Sequence, residues 1–190
     1  MRFRVNDMRT TSLGVAAVAV LLFVAAVVNG QTATPQDVLN KFLKLDFDGA
    51  RLDSDGFKKV FPLTDWPDAP GYDSSIIVRG YKVGVPQIRG SEATIAVTYD
   101  VVGMIAGNTT WEAYTGAASS ESFKDQVKMS YKLVLKNGRW KVHEPNEVPH
   151  ISIDVALKNE EALLADKNRD PDEHKAYQQI VDALKKLSGK

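Results

Sequence analysis

The chain has 190 residues, 44% of them apolar and 25% charged, and no cysteine. This is the composition of a foldable globular protein rather than a fibrous or disordered one, and the missing sulfur excludes disulfides, thiolate zinc sites and cysteine nucleophiles together. Lys+Arg and Asp+Glu both total 24; once Arg2, Arg4, Arg9 and Asp7 of the first thirty residues are set aside, acidic groups exceed basic ones by two, which gives no general attraction to nucleic acid.

Arg2, Arg4 and Arg9 precede an apolar stretch from Leu13 to Val28 interrupted only by Gly14, and Asn29, Gly30 and Gln31 follow it. A basic start, an apolar middle and a small, polar end make the layout of a secretory signal, with a cut after Gly30 placing Val28 and Gly30 at the two small-residue positions. The stretch falls short of the roughly 20 residues that span a bilayer. Residues 1–30 are therefore expected to be a signal peptide, with a retained membrane anchor as the alternative. The working part is expected to be periplasmic or extracellular, touching the inner membrane only if that segment stays attached.

Thr34, Pro35 and Asp37 supply an N-cap, a proline at the first helical position and an acid in the first turn. Val38, Leu39, Phe42 and Leu43 recur at helical spacing, which predicts a helix ending by Asp46. Asp46, Asp48, Gly49, Asp53, Asp55 and Gly56 read as turn residues around Leu52. A short second helix carries Phe57, Val60 and Phe61 and stops at Pro62, and Thr64 to Tyr72 reads as an irregular loop anchored by Trp66.

Strand character begins with Ile76, Ile77, Val78, Tyr81 and Val83, between Gly71 and Pro86. From Glu92 to Ile105 the alternation is regular: Ile95, Val97, Tyr99 and Val101 face one way, Thr94, Ala96, Thr98 and Asp100 the other. Gly107 to Glu121 reads as a mobile loop placed to carry Trp111 and Tyr114 over a cavity mouth. Val127, Met129, Tyr131, Leu133 and Leu135 then alternate with Lys128, Ser130, Lys132, Val134 and Lys136 up to Asn137-Gly138, the strongest short hairpin signal. On the return strand Trp140 and Val142 share a face, giving an antiparallel sheet with one core face and one wet face. Pro145 and Pro149 close the strand region. A helix capped by Ser152 follows, burying Ile153, Ala156, Leu157 and Leu164, and is broken at Asn168, Arg169, Asp170 and Pro171. A last helix draws its stripe from Tyr177, Ile180, Val181, Leu184 and Leu187.

This order, from helix and short helix to a lysine-rich strand, Asn137-Gly138 and Arg139-Trp140-Lys141-Val142, resembles the nuclear transport factor 2-like superfamily over Thr34 to Glu144. The resemblance implies an α+β fold of cone-like form, residues 34–150, in which a curved antiparallel sheet packed against N-terminal helices wraps an apolar pocket. Phe42, Trp66, Tyr99, Tyr131 and Trp140 are its candidate lining residues. The C-terminal helical pair, residues 151–188, lies outside the usual pattern and is expected to be an addition packed on or beside the domain. Members include isomerases and dehydratases as well as ligand binders and dimerisation modules, so fold analogy does not choose a function.

Catalytic members set an Asp or His base against a Tyr or a second acid inside the cone. Here Asp100 alternates away from Tyr99, and no catalytic residue is carried over. His143-Glu144 fails as a zinc-protease motif, because Glu147 stands where the second histidine belongs and Pro145 intervenes. His143, His150 and His174 are read as solvent-facing, and no metal ligands are assigned. Asp166, Asn168, Asp170 and Asp172 alternate as at the start of a calcium loop, but Pro171 and Tyr177 occupy the glycine and glutamate places, so they are read as an acidic connector capping the next helix. Lys128, Lys132, Lys136, Arg139 and Lys141 are read as a solvated face that discourages edge pairing, with anionic lipid or an acidic partner as the alternative. The expectation is an exported, non-enzymatic domain without cofactor that binds a small apolar ligand, an envelope protein or a second copy of itself. The alternative is an isomerase, dehydratase or hydrolase acting in the cone pocket.

Overall fold

The computed structural model describes residues 33–107, 109–116 and 121–189; the expected export segment, residues 1–30, lies outside them. Helix α1 (Pro35–Phe47) starts at a reciprocal cap: Thr34 Oγ1 accepts from the Asp37 amide at 3.2 Å, and the Asp37 carboxylate accepts from the Thr34 amide at 3.0 Å. Two donors that the first helical turn would otherwise orphan are thereby satisfied. Helix α2 (Ser54–Val60) is capped by Asp53, whose carboxylate accepts from the Gly56 amide at 2.7 Å, and it tightens into a 3-10 turn at Phe61–Leu63 around Pro62.

Seven strands follow: β1 (Ser75–Val83), β2 (Gln87–Arg89), β3 (Glu92–Ala106), β4 (Thr110–Ala113), β5 (Lys128–Lys136), β6 (Arg139–Glu144) and β7 (His150–Ser152). They form one sheet in the order β6-β5-β3-β1-β7, with β2 and β4 also paired to β3. The sheet curls strongly into a half-barrel, and the fold is α+β. The long alternating strand is β3, with Ile95, Val97 and Tyr99 buried and Thr94, Ala96 and Asp100 exposed. The hairpin at Asn137-Gly138 places both residues at positive φ (50° and 74°), as a twisted two-residue turn requires, and sets Leu135 opposite Trp140 and Leu133 opposite Val142.

Two strands depart from the sequence reading. The region expected to be a mobile loop contains β4, antiparallel to β3 with Ile105 opposite Trp111 and Gly103 opposite Ala113. Four residues amid glycines and serines are too few to show an alternation, and what secures them is Trp111, whose ring lies directly over Gly103. Beyond Pro149, where the strand region was expected to close, β7 pairs parallel to β1 with Ile77 opposite Ile151. A parallel partner remote in sequence leaves no local signal.

The curled sheet buries both faces at its β1–β3 centre. On one side Leu39, Phe42 and Leu43 of α1 pack with Val60, Trp66 and the inward residues of β3, β5 and β6. On the other, Ile77, Val102 and Ile105 pack against Ile151 and the stripes of α3 (Ile153–Leu164) and α4 (Pro171–Ser188). Adjacent residues Val101 and Val102 of β3 thus serve opposite cores. Ser152 caps α3 through the Val155 amide at 3.2 Å, and Asp170 caps α4 through the Asp172 amide at 2.8 Å. The described residues after Gly30 fall in one compact unit, and no helix among them is long and apolar enough to cross a membrane.

Candidate functional site

The five aromatic candidates occupy the face beneath α1. Phe42, Trp66, Tyr99 and Tyr131 are buried there, and Trp140 packs against them while partly open. Phe42 meets Trp66 edge-on at 5.6 Å and Tyr131 at 6.0 Å, so at these positions the interior is filled by the rings themselves. Tyr99 also borders a shallow cleft of about 500 Å³ with Arg79, Lys82 and Thr98. Asp100 points outward, 3.8 Å from Arg79.

Next to these rings lies a polar circuit that the sequence reading missed. Asp46, read as a turn residue, is in the last turn of α1 and only 1% exposed. It stands three and four residues after Leu43 and Phe42, on the buried stripe, so helical geometry carries its carboxylate inward. A lone buried carboxylate would be strongly unfavourable. Arg51, from the turn after the helix, grips it with both arms: Nε donates to Oδ1 at 2.7 Å and Nη2 to Oδ2 at 2.8 Å. The remaining guanidinium hydrogens go to Tyr72 Oη at 3.0 Å, the Glu147 carbonyl at 2.8 Å and the Val148 carbonyl at 3.3 Å. Burial opposes the Arg51 charge, but the adjoining Asp46 carboxylate outweighs it and holds the pKa above its ordinary value. Arg51 thereby ties the end of α1 to the segment that leads into β7.

His150, read as solvent-facing, is 1% exposed. Its amide donates to Asp46 Oδ2 at 3.1 Å, and its ring stacks on Tyr99 with centroids 4.0 Å apart. The parallel pairing of β7 with β1, which leaves no local signal, sets His150 opposite Ile76 and takes it out of solvent. Nε2 lies 3.1 Å from the Gln126 carbonyl, which can only accept, so Nε2 carries the proton and the buried Nδ1 has no partner among the described residues. Burial pushes this imidazole down to about 4, against the opposing pull of Asp46. The Tyr99 and Tyr131 hydroxyls bond each other at 2.7 Å, and burial raises both well above the ordinary phenol range. Asp46, Arg51, Tyr99 and Tyr131 are thus saturated within the fold.

Open space with unsatisfied polar atoms lies on the other side of Arg51. A cleft of about 270 Å³ runs between the β1–β7 edge and the C-terminal helices, bordered by Tyr72, Ser75 and Asn159, with Ile105, Ile151 and Leu163 as an apolar wall. Glu160 of α3 and Arg169 of the α3–α4 connector border it as well. Glu160 is 3% exposed, and its Oε2 is buried with no hydrogen-bond partner among the described residues. Burial pushes it up to about 7, against the lowering influence of Arg169. Arg169 Nε is likewise buried and unbonded; it stands 3.6 Å from Asp166, while Nη1 donates to Tyr177 Oη at 3.2 Å. Glu160 was visible in the sequence as a charge inside an apolar stripe, three and four residues after Leu157 and Ala156 and four before Leu164.

Three of the outer sheet lysines find partners. Lys132 lies 3.3 Å from Glu144, Lys136 2.7 Å from Asp65, and Lys141 bonds the Pro62 carbonyl. Asp65 also meets His143 Nδ1 at 3.1 Å, and its carboxyl is held below the usual range chiefly by its bond to Lys136. His143 is half-exposed, as expected. Among the described residues no group of three or more His, Asp or Glu could hold a metal ion. No family model, no curated protein and no solved structure matches the chain.

Proposed function

We propose that this chain is an exported, non-enzymatic binding domain of the nuclear transport factor 2-like type, periplasmic or extracellular, whose occupant is a small molecule or another envelope protein. Support for the cone-like form comes from α1 lying over the aromatic face of a curled sheet and from the terminal Asn137-Gly138 hairpin. The parallel strand β7 and the helices α3 and α4 are additions to that pattern.

The observation that carries the non-enzymatic reading is the closed polar circuit beneath the rings. General acid–base catalysis among the rings would need a group there that titrates near working pH and exchanges its proton with a substrate. Asp46 has Arg51 and the His150 amide on its oxygens, Tyr99 and Tyr131 hold each other, and His150 stays neutral at physiological pH. An isomerase, dehydratase or hydrolase working among these rings would require these bonds to open before chemistry. The test incubates the full chain with a panel of small enones, ketones, hydroxy acids and esters, followed by mass spectrometry. Absence of conversion is expected; conversion abolished by Tyr99→Phe or His150→Gln would overturn the binding reading. The N-terminal sequence of the protein recovered after expression tests export, since processing predicts a start at Gln31.

A further inference from the structure

The cleft under the C-terminal helices presents one orphaned acceptor and one orphaned donor beside an apolar wall. Glu160 Oε2 and Arg169 Nε are both buried and unbonded, and Ile105, Ile151 and Leu163 border the same space. Buried polar atoms without partners are rare in native proteins, because each forfeits its hydration without replacement. Two of opposite character in one open cleft match a ligand that brings a donor and an acceptor together.

The other charges there are already engaged. Arg51 has Asp46, and all five of its hydrogens are bonded. Arg169 keeps its loose ion pairs with Asp166 at 3.6 Å and Glu173 at 3.7 Å, and its face covers the Tyr177 ring at 5.2 Å. An anion alone would give Arg169 Nε the close acceptor that Asp166 at 3.6 Å does not supply, and leave Glu160 Oε2 without a donor. A cation alone would serve Glu160 and leave Nε as it is. We propose that the cleft binds a small zwitterion of the α-amino-acid type, its ammonium on Glu160, its carboxylate on Arg169 and an aliphatic side chain against Ile105, Ile151 and Leu163. The volume of about 270 Å³ accommodates a side chain of leucine size. Such a ligand adds no net charge while giving the buried Glu160 a counter-charge and the half-buried Arg169 a closer acceptor for Nε.

This proposal rests on the binding reading above, and the two fail differently: turnover that Tyr99→Phe or His150→Gln abolishes removes the binding reading, whereas the following titrations address the ligand class alone. The full-length protein is titrated calorimetrically at neutral pH with L-leucine, 3-methylbutylamine and 4-methylpentanoate, which share a hydrocarbon and differ in their charged groups. Saturable leucine binding is expected, with each single-charge analogue at least about tenfold weaker, the effect of one lost charged hydrogen bond. Glu160→Gln and Arg169→Gln should each weaken leucine by a similar factor. Equal binding of the amine or the acid, leucine binding untouched by Glu160→Gln in a protein whose circular dichroism is unchanged, or no binding of leucine at all would overturn it. The analogue comparison uses the native protein, so it decides even if a variant fails to fold.

Discussion

Replacing Glu160 by glutamine is expected to uncover an acid-side loss of stability that the native protein conceals. The folded chain titrates His150 near 4 instead of 6.5, so between those values the unfolded state binds the additional proton and stability falls as pH drops. Glu160 titrates near 7 instead of 4.5, so between those values the folded state binds the additional proton and stability rises as pH drops. Integrated from pH 7 to pH 5, each contributes about 2 kcal/mol, with opposite signs. Solvent reaching the cleft screens Glu160 and trims its share to about 1–2 kcal/mol. In the native protein the two nearly cancel. Glu160→Gln should therefore lose about 1–2 kcal/mol more than the native protein over this interval, and His150→Gln, which keeps a donor for the Gln126 carbonyl, should lose less than the native protein or gain. Urea unfolding followed by tryptophan fluorescence at pH 7, 6 and 5 reads the difference directly. Native and Glu160→Gln profiles running parallel, within about 0.5 kcal/mol, would refute the opposed titrations.

Arg51→Met strands the Asp46 carboxylate in the interior and should cost about 3–5 kcal/mol, whereas the double change with Asp46→Leu should recover part of that loss. Urea midpoints around the cycle measure it, and simple additivity would contradict the coupling. Gly103→Ala sets a methyl group 2.3 Å from the Trp111 ring and 2.7 Å from the Glu112 carbonyl, an overpacking expected to cost about 1–3 kcal/mol. An unchanged melting temperature would show that Trp111 does not rest on that glycine.

Much of the fold is legible without coordinates because it is encoded by neighbours in sequence. Thr34 with Asp37, Asp53 with Gly56, Ser152 with Val155 and Asp170 with Asp172 cap their helices within three residues. The alternation of β3 and the positive φ at Asn137 and Gly138 are equally local. Tyr99, Tyr131 and Trp140 share the face under α1 by the same alternation, whereas Trp66 joins them from an irregular loop that has no period. The C-terminal pair of helices was likewise readable from its stripes and caps.

What the tertiary structure alone decided is where charge goes. Asp46 and Arg51 are neighbours in the chain, but nothing in their spacing says that the carboxylate turns inward or that the guanidinium crosses to Glu147 and Val148. His150 becomes buried only because β7 joins β1 in parallel, and Glu160 and Arg169 border one cleft with the apolar wall only because α3 and α4 close over that edge. Hydrophobic periodicity reports which residues leave water, since that free energy is summed over each residue's own surface. The state of a buried charge depends on partners brought by distant segments, which no local window contains.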